Sequence, residues 1–267
     1  MLMKTKIQTF DIIYSLGDSC AVALYMKQLC MRACSGPFDW LAGGDFKLRI
    51  NLLINRFEGF LEAENLEPVR EGRFYDPDGV HPHERFVCQK TGLFFIHDFD
   101  KNHPLRLSFP AVKEKYNRRV ARMLHSLDTR KTLLIWFSYD QVISDEVVIE
   151  QIRKLHESYG KNIHLLIVEH DDKAAPDEIR HVQLTDCVER YYLYAKAYDK
   201  QGNLKTKGRK EALTHIFERY GLHDSIRDRR KRAAKACFTR LATALIPIKR
   251  IRKKLRKKYA DSNSEGD

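Results

Sequence analysis

The sequence predicts an α/β fold, a mainly parallel β-sheet with helices on both faces. Two observations carry this expectation. Short unbroken apolar runs, such as Thr132–Phe137 (TLLIWF) and Ile163–Val168, alternate with longer segments of helical periodicity. Unbroken apolar strands suit a sheet covered on both faces, and helices between strands let each strand run parallel to the next. The resulting three-layer order is that of Rossmann- and flavodoxin-like sheets.

Taken in order, Phe10–Ser15 (FDIIYS) reads as a buried strand that breaks at Leu16-Gly17-Asp18-Ser19. Val22, Tyr25, Met26 and Leu29 then recur at helical spacing. Residues 46–63 read as a second helix, striped by Leu48, Leu52, Leu53, Phe57 and Phe60. Between residues 64 and 90 the pairs Glu67-Pro68, Pro77-Asp78 and His81-Pro82 signal turns, and no regular element is expected. Leu93–Ile96 is a strand, and residues 110–127 form a helix with Val112, Tyr116, Val120, Met123, Leu124 and Leu127 on one face. After the strand Thr132–Phe137, Ser144 is placed to cap a helix that carries Asp145 and Glu146 in its first turn and meets Gly160 at its end. Ile163–Val168 follows as a strand, with a shorter one near residues 181–184. The polar loop 200–210 leads to a last helix at residues 210–220.

The charge is unevenly spread. Of the formal +12, residues 226–267 hold +11, with 15 Lys/Arg against 4 acids, and residues 1–225 hold +1. The chain therefore divides into an α/β domain (1–225), a basic amphipathic tail (226–260) and a polar end (261–267) expected to be disordered. The six cysteines show no CxxC and no pairing rhythm, which argues against a zinc finger or a thioredoxin-type motif. The start, MLMKTKIQTF, has no apolar run of signal-peptide length, and no stretch approaches the roughly 18 apolar residues of a membrane span. A reducing, cytoplasmic setting with free thiols is expected.

In an open parallel sheet, chemistry collects beyond the C-terminal strand ends. Here those positions hold Gly17-Asp18-Ser19-Cys20, His97-Asp98, Ser138-Tyr139-Asp140 and Glu169-His170-Asp171-Asp172. Cys20 is the best nucleophile candidate, because the unpaired N–H groups and dipole at a helix start favour a thiolate. A buried, inert thiol is the competing use. His97 is the candidate base. Asp98 follows it but points to the opposite face of a strand, so Asp140 has the better direction to orient the imidazole. His81 and His83 lack a clear third ligand, and no metal or cofactor is expected.

Ser15-Leu16-Gly17-Asp18-Ser19-Cys20 followed by Ser35-Gly36-Pro37-Phe38-Asp39-Trp40 resembles a bacterial family of unknown function described as putative papain-like cysteine peptidases. His97-Asp98-Phe99 and Tyr116-Asn117-Arg118-Arg119, with Arg122, are similar to its later blocks. The resemblance implies Cys20 as nucleophile, His97 as base with a carboxylate behind it, a bacterial source and service to surface polysaccharide assembly. It also implies a papain-like α+β fold as the alternative to the parallel sheet. Asp39 and Trp40 then wall the pocket, or else simply close a loop over the core. Arg118, Arg119 and Arg122 are expected to face solvent, with an anion site as their other use. Gly17-Asp18-Ser19 also imitates the nucleophile block of GDS-type serine esterases, a second reading with Ser19 as nucleophile. A binding module that kept the fold without catalysis is the alternative from another class.

In the tail, Leu241, Leu245, Ile248 and Ile251 fall on one helical face beside Lys249, Arg250 and Arg252. Such a helix lies in an anionic membrane interface, so the cytoplasmic face of the cell membrane is the expected partner and location. Nucleic acid is the rival, but phosphate contacts need no apolar face.

Overall fold

The computed structural model describes residues 7–223 apart from 77, 79, 80, 203, 206 and 207. In chain order its elements are β1 (Gln8–Phe10), β2 (Ile12–Ser15), α1 (Ala21–Gln28), β3 (Leu41–Gly43), α2 (Phe46–Ile54), β4 (Leu66–Pro68), β5 (His83–Cys88) and β6 (Leu93–Asp100). These are followed by α3 (Leu105–Thr129), β7 (Thr132–Ser138), α4 (Asp145–Tyr159), β8 (Ile163–His170), β9 (Ile179–Thr185), β10 (Val188–Leu193), α5 (Lys210–Phe217) and β11 (Tyr220–Leu222). The tail, with the proposed membrane face of Leu241, Leu245, Ile248 and Ile251, lies outside the described residues.

Three sheets form. The largest has the order β2-β7-β8-β10-β9, parallel throughout except for the antiparallel hairpin of β9 and β10. The second, β3-β6-β5-β4, is wholly antiparallel. In the third, β1 and β11 pair in parallel, Gln8 opposite Tyr220. The fold is thus mixed α/β, and the expectation of one mainly parallel sheet is corrected. The turn-rich stretch 64–90 supplies two antiparallel strands, β4 and β5, which pair with each other, and β6 runs past Ile96 to Asp100 to pair with β5.

The central strand shows why the apolar runs are unbroken. Every residue of β7 is buried. Leu134 and Trp136 enter one core cluster with Ile50 and Leu53 of α2, Met123 of α3 and Leu155 of α4. Leu133, Ile135 and Phe137 enter another with Val22 and Met26 of α1 and Leu213 and Phe217 of α5. Alternate side chains thus feed opposite faces, as strand geometry requires. Phe86, Phe95 and Phe99 of the antiparallel sheet join the first cluster, so the two sheets share one core.

Two helix boundaries and one strand differ from expectation. The second helix stops at Ile54, because Arg56 and Phe57 take positive φ of 51° and 60°; Phe57 and Phe60 still reach the core, but from turns. Helix α3 begins earlier, at Leu105, and contains Pro110, which forgoes one helical hydrogen bond. Strand β10 (VERYYL) was not anticipated; its Glu189 and Arg190 are buried although charged.

Candidate active site

The turn from β2 into α1 presses against β7. A Cβ on Gly17 would meet Val22 Cγ2 at 3.0 Å and the Phe137 carbonyl at 3.4 Å, so any larger residue would need Val22 to shift by a few tenths of an ångström. Asp18 then turns towards β7 and accepts a hydrogen bond from Ser138 Oγ at 2.7 Å. That hydroxyl also accepts the N–H groups of Asp140 at 3.2 Å and Gln141 at 3.0 Å, so one serine fixes both strand-end loops. Burial pushes the Asp18 carboxyl up, opposed by the Ser138 bond and then by the positive charges of Arg49 and Arg73.

Cys20 is itself the cap of α1, with φ −70° and ψ 0°, and its carbonyl accepts the Leu24 N–H at 3.0 Å. Ser19 Oγ accepts the Ala21 N–H at 3.5 Å. Burial pushes the Cys20 thiol up, offset in part by a backbone hydrogen bond; among the described residues, no imidazole or cation counts among the influences on it. Tyr139 shares this corner, its phenol pushed up by burial and then by Tyr25, Asp18 and Cys20.

A residue not anticipated from sequence joins this corner to the Pro37-Phe38-Asp39-Trp40 loop. Arg49, on the apolar face of α2, is fully buried. Its Nη2 donates to Gly43 O at 2.6 Å and Leu41 O at 3.5 Å, and its guanidinium stands 5.1 Å from the Phe38 ring. Burial lowers its pKa to about 10, with the Asp18 charge opposing. An arginine in the helix text FKLRINLLI, between Phe46 and Leu53, was the available signal.

Asp39 is buried, accepts the Gly36 N–H at 3.1 Å and pairs with Arg32 at 2.6 Å, which closes its loop. Burial raises its carboxyl, with Arg32 the main opposing charge. Trp40 lies between Arg32, 5.8 Å from its ring centre, and His97, edge-on at 6.2 Å. His81 and His83 flank His97 with ring centres at 6.1 and 6.4 Å, yet among the described residues no group of His, Cys, Asp or Glu is arranged to hold a metal ion. As strand alternation requires, Asp98 faces away from this group, held by Lys115 at 2.6 Å and Tyr116 at 2.9 Å. Asp140 is exposed and 3.6 Å from Arg73.

The remaining strand-end groups are engaged locally. Glu169 is buried against Arg190 at 2.5 Å and accepts the Ile143 N–H at 3.0 Å, while Arg190 also reaches Asp145. His170 accepts the Ala195 N–H on Nδ1 at 2.9 Å, which leaves its proton on Nε2, facing Asp172 at 2.7 Å. Arg119 and Arg122 are half-buried rather than solvated, whereas Arg118 is exposed and pairs with Glu114.

The sequence model of a protein family, described as putative papain-like cysteine peptidase, matches residues 11–173. The matched span holds Cys20, Asp39, Trp40, His97 and Asp140. An uncharacterized protein of Acanthamoeba polyphaga mimivirus is 26% identical over 153 residues, covering 54% of this chain and 68% of its own. No solved structure matches significantly. Among the described residues no helix is long and apolar enough to cross a membrane.

Proposed function

The chain belongs to the putative papain-like cysteine peptidase family, and on that premise we propose that it is a thiol-dependent hydrolase with Cys20 as nucleophile and His97 as base. The observation that carries this reading is the seat of Cys20: it caps α1 directly beyond the parallel strands, where the first helical N–H groups lack intrahelical partners. In this mechanism the thiol proton passes to His97 as sulfur adds to the carbonyl. The α1 amides stabilise the oxyanion; its collapse breaks the bond to the leaving group, which takes the proton from His97. Water, giving up a proton to His97, then releases the acyl group as a carboxylic acid and restores the Cys20 thiol. Because burial raises the thiol, the proton leaves during attack rather than beforehand. Asp140 serves as the orienting carboxylate, since Asp98 is held by Lys115 and Tyr116.

Titration with p-nitrophenyl acetate tests this. A stoichiometric burst is expected from the parent, absent in Cys20→Ala and slowed about 10²–10⁴-fold in His97→Ala, the usual contribution of a positioned base. A burst unchanged in Cys20→Ala sinks the proposal. The raised thiol favours the second reading, a non-catalytic binding module, and that reading predicts no burst at all. The serine-esterase alternative, with Ser19 as nucleophile, predicts a burst that survives Cys20→Ala and is lost in Ser19→Ala.

The same proposal holds the enzyme peripherally at an anionic membrane through residues 226–260, on the strength of their charge and aliphatic spacing. Service to surface polysaccharide assembly rests on the family resemblance alone. Replacing Leu241, Leu245, Ile248 and Ile251 with Ser keeps every charge, and is expected to abolish binding to anionic vesicles at physiological salt. Undiminished binding by that variant would leave electrostatics alone and admit nucleic acid as an equal partner.

A further inference from the structure

Three arginines converge on the loop that carries Trp40. Arg32 Nη2 lies 2.6 Å from Asp39 Oδ2 and 2.5 Å from Ser35 Oγ. Arg122 Nη2 donates to the Ser35 carbonyl at 3.4 Å. Arg119 stands 5.5 Å from the Tyr116 ring, and its charge acts on Asp39. Asp39 thus pairs with Arg32 and feels Arg119, whereas Arg122 reaches the loop through the Ser35 carbonyl, and the adjacent acid, Asp98, is taken by Lys115 and Tyr116. Among the described residues, Arg32 Nε, Arg119 Nη1 and Arg122 Nε are buried without a hydrogen-bond partner.

Buried guanidinium N–H groups without hydrogen-bond partners are costly, so this arrangement favours an anion that supplies them. Planar guanidinium forks from several directions suit a tetrahedral oxyanion. The side chains are partly exposed, which leaves an approach for such a group. Beside them stand two flat rings, Trp40 and His97, in edge-to-face contact at 6.2 Å.

We propose that Arg32, Arg119 and Arg122 form a binding site for a phosphate group whose organic remainder lies against Trp40 and His97. The site needs no chemistry at Cys20 and stands whether or not the chain hydrolyses anything.

The test uses the full-length chain and inorganic phosphate, with chloride at equal ionic strength as the reference. Phosphate is expected to change the tryptophan emission saturably through Trp40, because Trp136 is sealed in the core. Combined Arg119→Gln and Arg122→Gln should weaken this binding about tenfold or more per arginine, the usual loss for a hydrogen bond to a charged group. In phosphate-free buffer the same variant should be as stable as the parent or more so, since like charges are removed; a merely structural role predicts a loss. Should that variant not fold, the parent titration and Arg122→Lys, which keeps the charge but loses the fork, decide the matter. No saturable response in the parent overturns the proposal, and equal affinity in the variants assigns the phosphate to the basic C-terminal residues instead. Arginine-dependent binding of glycerol 3-phosphate identifies a soluble ester as the source. Arginine-dependent binding to vesicles containing phosphatidic acid, with no response to glycerol 3-phosphate, identifies a lipid headgroup.

Discussion

At the ends of the parallel strands, Asp18 takes a hydrogen bond from Ser138, and Glu169 takes bonds from Arg190 and the Ile143 N–H. Between the antiparallel sheet and α3 the balance is reversed: Asp39 faces both Arg32 and Arg119, Arg122 reaches the same loop through a carbonyl, and among the described residues three N–H-bearing atoms of these arginines are buried without partners. In the first region polar groups are spent on fixing loops, so their removal should cost stability. In the second they are left available, so their removal should change binding more than folding. The difference separates the scaffold of the candidate site from its means of recognition, although Asp18, Ser138, Glu169 and Asp39 all lie within one family match.

The two tryptophans give the strongest way to break this contrast. Trp136 is fully buried on β7 against Phe46, so Trp136→Ala is expected to cost about 3–5 kcal/mol in urea unfolding. Trp40 is partly exposed, and Trp40→Ala should cost about 1 kcal/mol. Equal costs would remove the distinction between the regions. Next, Ser138→Ala deprives Asp18 and two backbone N–H groups of their shared hydroxyl and should cost about 1–3 kcal/mol. A negligible loss would mean that water replaces the serine and that the corner is looser than its bonds suggest.

A smaller, pH-dependent effect follows from Asp18. Burial raises its carboxyl, so folding favours the protonated form. Its stabilising contribution is complete below the ordinary carboxylate range and is lost as pH climbs through the raised value. Asp18→Asn cannot ionise and should therefore gain on the parent as pH rises from about 4 to about 8. Parallel stability curves for the two proteins would show that Asp18 is not penalised. Finally, with no change in stability, iodoacetamide should label exposed Cys30 ahead of Cys20 at neutral pH, and Cys20 should catch up as pH rises. Preferential labelling of Cys20 at neutral pH would mean that a base already holds its proton.

What could be read in advance was local. Ser144 does accept the Val147 N–H, and Gly160 does end α4 with φ 86°, because capping chemistry depends on neighbours in sequence. The buried strands β7 and β8 were legible for the same reason. Strand β10 was hidden by Glu189 and Arg190, which look solvated in sequence. They are buried because distant partners satisfy them: Tyr220 and His181 for Glu189, Glu169 and Asp145 for Arg190. Strands β4 and β5 were hidden by the turn residues around them. At the candidate site, the strand-end positions of Asp18, Cys20 and Asp140 were legible, but the partnership of Asp18 with Ser138 crosses 120 positions of sequence. The burial of Arg119 and Arg122 could not be read from α3 alone, since the Ser35–Asp39 loop that covers them lies far away in the chain.

The pairing of β1 with β11 has a mechanical consequence. The strands run parallel, with Gln8 opposite Tyr220 and Phe10 opposite Leu222, so the chain enters at one end of the pair and leaves at the other. A pull between residue 8 and residue 222 therefore slides one strand along the other and loads their hydrogen bonds together rather than peeling them singly. Tension arriving through the residues beyond 223 meets this shear joint before it reaches β2 and the turn that carries Cys20.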